Sequence, residues 1–354
     1  MRTLTREELT AAHAARQLLL KRARLDPVEA IRRLTPLQAQ DPPAPYVALA
    51  ARVEGFERAA LEAAIDRREV VKTTINRLTL HLAAAGEYPA YAQLTRQARM
   101  RAWRKAYAQL DEEAVVAELG AWLARPRSNE EIRARVSRYD GVADDPVTPI
   151  VFARNILALV QVPPAGHWGD RTRARFVVDP APRPGPAAAA AAVLARYLAA
   201  FGPASRRDAA SWAGVAQRDF AAAIERLALV SFRDEGDTEL LDLPDQPLPP
   251  ASTPMPVRFL SRWDQALLAY ADRERIIPLE LQPMKLTLSG DQTVTVDGRV
   301  AASWKLERSA KVVKVVIEPH RAIRRSARAE IRAEAKRTAL FCVPGAPRVE
   351  VYDS

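Results

Sequence analysis

The chain has 354 residues, with 53 Lys and Arg against 43 Asp and Glu, for a formal charge of +10. That length exceeds a single compact core and sets an expectation of two or three domains, and the positive excess favours a polyanionic partner. The lone cysteine, Cys342, excludes an intramolecular disulfide and any cysteine-rich metal site.

His13, His81, His167 and His320 are scattered without ligand spacing, and the 13 glycines form neither a phosphate loop nor a dinucleotide fingerprint. No metal, no cofactor and no nucleotide-driven chemistry is therefore expected. The N-terminal stretch lacks a signal-peptide pattern and no segment approaches the length of a membrane span, so a cytoplasmic protein without membrane contact is expected.

In chain order, Thr5-Arg6-Glu7-Glu8 opens a first helix as a capping box, with Leu9, Ala12, Ala15 and Leu19 on one face. Asp26-Pro27-Val28-Glu29 opens a second, which carries Ile31 and Leu34 toward Gln38. A Pro-rich break, a third helix and a fourth around Phe56 to Arg67 lead into a hairpin with arms Glu69 to Thr74 and Leu78 to Leu82. In the second arm Leu78, Leu80 and Leu82 alternate with Thr79 and His81, placing leucines on one side of a strand and the polar pair on the other.

Helices followed by a hairpin are the order of a winged helix, and the order recurs. Asp111 to Leu123, a helix capped at Ser128 and Val147 to Leu159 precede strands within Leu159 to Val178. Ala187 to Phe201, a helix from Ser205 to Gly214 and Gln217 to Leu227 precede a hairpin around Asp234 to Asp237. The irregular spacing points to units related by structure rather than by a sequence repeat. After the Pro-rich stretch Leu243 to Val257, strands at Val294 to Val296, Val300 to Trp304 and Lys311 to Ile317 surround the Asp297-Gly298 turn, and a basic helix runs from Ala322 to Lys336. The expected architecture is mainly α with β-hairpins (α+β): three tandem winged-helix units over 1–95, 96–180 and 186–245, then a β-rich module over 255–354 packed on the third unit.

Gln38 and Gln40 lie on one side if their segment is extended and on different faces if it is helical. Such a pair can hold a water and a base edge but cannot act as a general base; the plain alternative is a polar helix end. His81 beside Thr79 either contacts phosphate or a base, or is an exposed or locally bonded histidine. Trp168, in His167-Trp168-Gly169, either stacks on a base or caps a core. Asp264 stands out as a carboxylate after the linker, although such an Asp is usually structural. Basic residues gather at Arg96, Arg99, Arg101, Arg104 and Lys105 and across Lys305 to Lys336, either as a DNA-facing surface or as solvated helix faces.

In order, these landmarks resemble the AlkZ-like branch of the winged-helix DNA glycosylases, a family that also includes YcaQ-like proteins. They are Leu37-Gln38-Ala39-Gln40, Leu78-Thr79-Leu80-His81-Leu82, Val162-Pro163-Pro164 with His167-Trp168-Gly169, Tyr197 to Ala204, Trp263-Asp264 with Leu267-Leu268, and Val296 to Val300 with Trp304. The resemblance implies a C-shaped protein around double-stranded DNA that removes guanines alkylated at N7, interstrand crosslinks among them, in repair or self-resistance. It implies Gln38 and Gln40 as holders of the attacking water and labile nucleotide, with Thr79 and His81 as nearby DNA or lesion contacts; Arg77, Arg96, Arg99 and Trp168 are expected to contact the DNA beside them. Gln40 favours the AlkZ-like branch over the YcaQ-like one, which has Asp there. Leu78 replaces an expected glycine, and Gln265-Ala266 replaces Glu-Tyr after Asp264. A monomer at the nucleoid is expected; the competing readings are a non-catalytic winged-helix DNA-binding or regulatory protein and, on charge alone, a ribosome or RNA partner.

Overall fold

The computed structural model describes residues 1–353, and its mixture of helix and strand is α+β. Helix Arg6–Arg16 starts at the expected reciprocal cap, in which Thr5 accepts from the Glu8 amide and the Glu8 carboxylate accepts from the Thr5 amide. Helix Pro27–Leu34 is opened by Asp26, whose carboxylate accepts from Val28 and Glu29. Glu29 pairs instead with Arg33, one turn on, at 3.1 Å. Thr35, at φ 69°, stops this helix, and the chain enters the short strand β1 (Leu37–Gln38). Helices Ala44–Ala50 and Arg58–Asp66 lead to β2 (Val70–Thr74) and β3 (Leu80–Ala84).

A short strand, two helices and a hairpin then recur. Helix Glu112–Trp122 precedes β4 (Arg127–Ser128), helices Asn129–Val136 and Thr148–Ile156, and the pair β5 (Leu159–Gln161) and β6 (Arg175–Val178). Helix Pro186–Phe201 precedes a bridge at Ala204, helix Arg206–Ala213, a 3-10 turn running into helix Ala221–Arg226, and the hairpin β7 (Val230–Arg233) and β8 (Glu239–Asp242). The first two groups share a six-stranded sheet of order β1-β3-β2-β5-β6-β4, because Lys72 and Thr73 of β2 pair with Gln161 and Val160 of β5. Helix Tyr88–Ala106 runs across residue 95, so neither the sheet nor this helix breaks there.

A second, five-stranded sheet has the order β13-β12-β11-β10-β9, built from β9 (Arg258–Phe259), β10 (Gln292–Val296), β11 (Arg299–Arg308), β12 (Val313–Pro319) and β13 (Val349–Asp353). Asp297 (φ 52°) and Gly298 (φ 76°) adopt the paired left-handed conformations that a two-residue hairpin turn needs. The C-terminal helix lies at Ala327–Cys342, later than the sequence suggests. Its docking is also a correction. Ala327, Ile331, Ala335 and Cys342 share a core with Val47, Val294 and Val315, and Arg337 donates to the Ala50 carbonyl at 2.9 Å. The sheet and its helix therefore seat on helix Ala44–Ala50 near the start of the chain, because the apolar face of that short helix would otherwise be uncovered. Contact with the third group comes from the segment after β9: the Tyr197 hydroxyl donates to Ala269 O, and the Ala271 amide donates to Asp208, both at 2.9 Å.

Two ion pairs with at most 1% exposure fasten the N-terminal part of the chain to distant residues, Arg16 to Asp242 and Arg52 to Asp264. Asp264 is therefore enclosed, and it also caps the turn of helix at Gln265–Leu268. Among the described residues, no helix is long and apolar enough to cross a membrane.

Candidate active site

The end of helix Pro27–Leu34 decides the geometry of the glutamines. From Leu37 the backbone is extended: Leu37 pairs with Leu82 and Gln38 with His81, and the Ala39 amide donates to Leu80 O at 2.8 Å. Leu37 and Ala39 face inward, against Ile31, Leu49 and Leu82. Strand alternation then puts Gln38 and Gln40 together on the opposite side. Gln38 Nε2 donates to Gln40 Oε1 at 2.6 Å. Gln38 is 6% exposed while Gln40 is open to solvent, so the pair reaches from the sheet to the surface.

Thr79 joins them from the end of the β2–β3 turn. Its hydroxyl lies 3.2 Å from Gln38 Oε1 and 3.0 Å from the Asn76 carbonyl, and its one proton serves both acceptors. His81, opposite Gln38, is buried, and its Nδ1 lies 2.9 Å from Thr79 O. A carbonyl only accepts, so Nδ1 carries the hydrogen and Nε2 keeps its lone pair. Burial drives the imidazole pKa down to about 3, against the Thr79 hydrogen bond and with help from the Arg77 charge. The ring is thus neutral at physiological pH and too weak a base to ionise water. What converges is an uncharged set: two amides, a hydroxyl and a neutral imidazole, suited to orienting a water and stabilising positive charge on a nearby group by dipoles.

The turn that carries Thr79 differs from the strand expected over Leu78 to Leu82. Asn76–Leu78 is a tight 3-10 turn and β3 begins at Leu80. Arg77 (φ 51°) and Leu78 (φ 59°) are both left-handed, which costs about 1–2 kcal/mol for each non-glycine residue. Alternation is lost at this point, so Leu82 is in the core but Leu78 is exposed. Asn76 is buried, and neither atom of its amide meets a hydrogen-bond partner among the described residues. Nothing in the sequence marked Asn76, whose burial depends on the turn docking against other segments.

The remaining expected contacts are placed elsewhere. Arg77 sits in the turn but donates to Trp212 O at 2.5 Å; burial and the neighbouring Arg273 hold its pKa down to about 10. Arg99 is turned inward, donating to Thr74 O at 3.3 Å and Arg154 O at 3.2 Å. It braces the hairpin from behind rather than facing solvent. Arg96 and Arg104 share Glu112 at 3.4 and 2.6 Å, and Arg101 pairs with Asp219 at 3.3 Å, so these three arginines already hold carboxylates, although the run keeps a positive excess. Trp168 is packed: its ring meets Tyr46 and Phe341 edge-on, and the Arg58 guanidinium covers it at 3.6 Å. None of these contacts involves the glutamine pair, and the core-capping alternative describes Trp168 as it stands.

This amide-centred site belongs to a chain of the AlkZ-like DNA glycosylase family, whose model matches residues 31–341. DNA glycosylases are hydrolases of N-glycosyl bonds. The fold is similar to that of the Streptomyces sahachiroi DNA glycosylase AlkZ, with a TM-score of 0.83 at 20% identity, covering 99% of this chain and 100% of that one. At that identity the likeness is one of fold. No curated protein matches the chain.

Proposed function

We propose that this chain is a monofunctional glycosylase that hydrolyses the N-glycosidic bond of N7-alkylguanine, interstrand crosslinks among its substrates, in DNA repair or self-resistance. It works as a monomer at the nucleoid on double-stranded DNA, through three winged-helix units, the first two joined in one sheet. The observation that carries the reading is the meeting of Gln38 and Gln40 at 2.6 Å beside Thr79, with no ionised base in the set. Alkylation at N7 makes the guanine cationic and a good leaving group, so bond breaking needs little acid or base help. What it needs is a placed water and a favourable field for an oxocarbenium-like sugar. Gln38 and Gln40 orient the water through their free amide positions, Thr79 fixes which way the Gln38 amide faces, and neutral His81 adds no charge that would repel a cationic sugar.

Release of free base from a duplex carrying N7-methylguanine or a nitrogen-mustard crosslink tests this reading, and release no faster than spontaneous loss refutes it. A Gln38→Ala, Gln40→Ala double variant is expected to bind the duplex while excision falls about a hundredfold or more. Full activity in that variant would remove the glutamines from the centre.

A further inference from the structure

The tip of the β2–β3 turn presents a leucine where burial, backbone preference and solubility all argue against one. Leu78 is 53% exposed. It is the second of two consecutive left-handed residues, in a turn type that glycine and asparagine fill without strain. Glycine at this position would relieve the backbone and remove an exposed apolar group, yet the chain carries Leu.

The turn is held firmly in that conformation. The Thr79 amide donates to Asn76 O and the Ile75 amide to Thr79 O, both at 3.1 Å. Arg77 is tied to Trp212 O, and Gly214 (φ 73°) makes room for the approach, since a Cβ there would stand 2.9 Å from Arg77 N. Leu78 is thus exposed on a braced base, next to Arg77, whose guanidinium lies near that of Arg273. The next residue, Thr79, is the one hydrogen-bonded to Gln38.

An apolar side chain on a rigid support beside a site that acts on nucleotide sugars fits one task. Access to a glycosidic bond inside a duplex requires the nucleotide to leave its stacked position, and an inserted apolar group replaces the stacking that is lost. We propose that Leu78 is a wedge that enters the base stack beside the damaged nucleotide and fills the step it vacates while Gln38 and Gln40 face its sugar. This rests on the glycosylase reading above. Leu78 is a positioning residue: it acts on the population of displaced nucleotide, not on the bond.

Leu78→Gly and Leu78→Met separate the wedge from a structural role. Leu78→Gly relieves the left-handed strain, so its thermal midpoint is expected within about 3 °C of wild type. Its single-turnover excision of N7-methylguanine is expected to fall about tenfold or more, with affinity for undamaged duplex changed less than about twofold. Leu78→Met keeps length and apolarity and is expected to excise within about threefold of wild type. A second readout uses 2-aminopurine beside an uncleavable fluorinated N7-methylguanine, or opposite a tetrahydrofuran abasic analogue. Its fluorescence is expected to rise with wild type and Leu78→Met and to stay flat with Leu78→Gly. Wild-type excision without loss in Leu78→Gly overturns the wedge and leaves the glycosylase reading standing. If wild type releases no base, the glycosylase reading fails, and the fluorescence difference on the abasic duplex still decides the wedge. No fluorescence rise with wild type overturns it.

Discussion

Replacing Asp264 with leucine tests whether this carboxylate supports the fold or the chemistry. Asp264 and Arg52 have 0% side-chain exposure and meet at 2.7 and 2.9 Å in a two-pronged pair. Arg52 also donates to Gln17 O and Ala48 O at 3.0 Å each, and Asp264 accepts from Ser261 at 3.3 Å and the Ala266 amide at 3.0 Å. Asp264→Leu leaves the guanidinium buried without its counter-charge, a loss of about 3–5 kcal/mol. With 354 residues at about 2.1 cal/mol/K each, the unfolding entropy is about 0.74 kcal/mol/K, so the thermal midpoint should fall by about 4–7 °C. Calorimetry reads the midpoint, and base release well below it reads activity per folded molecule, expected within about threefold of wild type. The further change Arg52→Met in the same chain removes the stranded charge and should recover part of the loss. An unchanged midpoint would refute the energetic reasoning. A normal midpoint with excision abolished would place Asp264 in the active centre.

Other expectations follow from the same geometry. Folded His81 titrates near 3, while an unfolded histidine titrates near 6.5, so its stabilisation is complete above about pH 6.5 and is lost as pH falls toward 3. Each pH unit in that window costs about 1.4 kcal/mol. The urea stability gap between wild type and His81→Gln should narrow by about 2 kcal/mol from pH 7 to pH 5, and an unchanged gap would contradict a buried neutral ring. Thr79→Val keeps shape but removes the donor to Gln38 Oε1; losing about 1–1.5 kcal/mol of orientation should slow single-turnover excision roughly five- to twelvefold. Wild-type kinetics in that variant would show that the hydroxyl does not orient the amide. Gly214→Ala brings a Cβ to 2.9 Å from Arg77 N at a backbone φ of 73°. It should cost about 1–2 kcal/mol and slow excision by shifting the turn, and a variant as stable and active as wild type would disconnect that junction from the site.

The parts of this protein legible in the sequence are those set by neighbours along the chain. Thr5, Asp26, Ser128 and Ser205 cap helices where their spacing to the following residues says they should, because a cap is closed within three or four residues. The Asp297-Gly298 turn and the strands on either side follow from the same local chemistry. The glutamine site was half legible: Gln38, Gln40, Thr79 and His81 could be singled out, but whether Gln38 and Gln40 share a side depended on where a helix stops. That was decided by the pairing of β1 with β3, across roughly forty residues, and by the burial of Leu37 and Ala39 that selects the register. Arg99 looked like part of a solvated basic face until the packing of its helix turned it onto the hairpin carbonyls. Leu78 read as one of three alternating leucines until the turn took two left-handed residues and broke the alternation. The sequence by itself determined the capped helix starts, the Asp297-Gly298 turn and the residue types of the site. Only the tertiary structure decided which side chains meet, because contacts between distant segments depend on which surfaces bury one another and not on spacing along the chain.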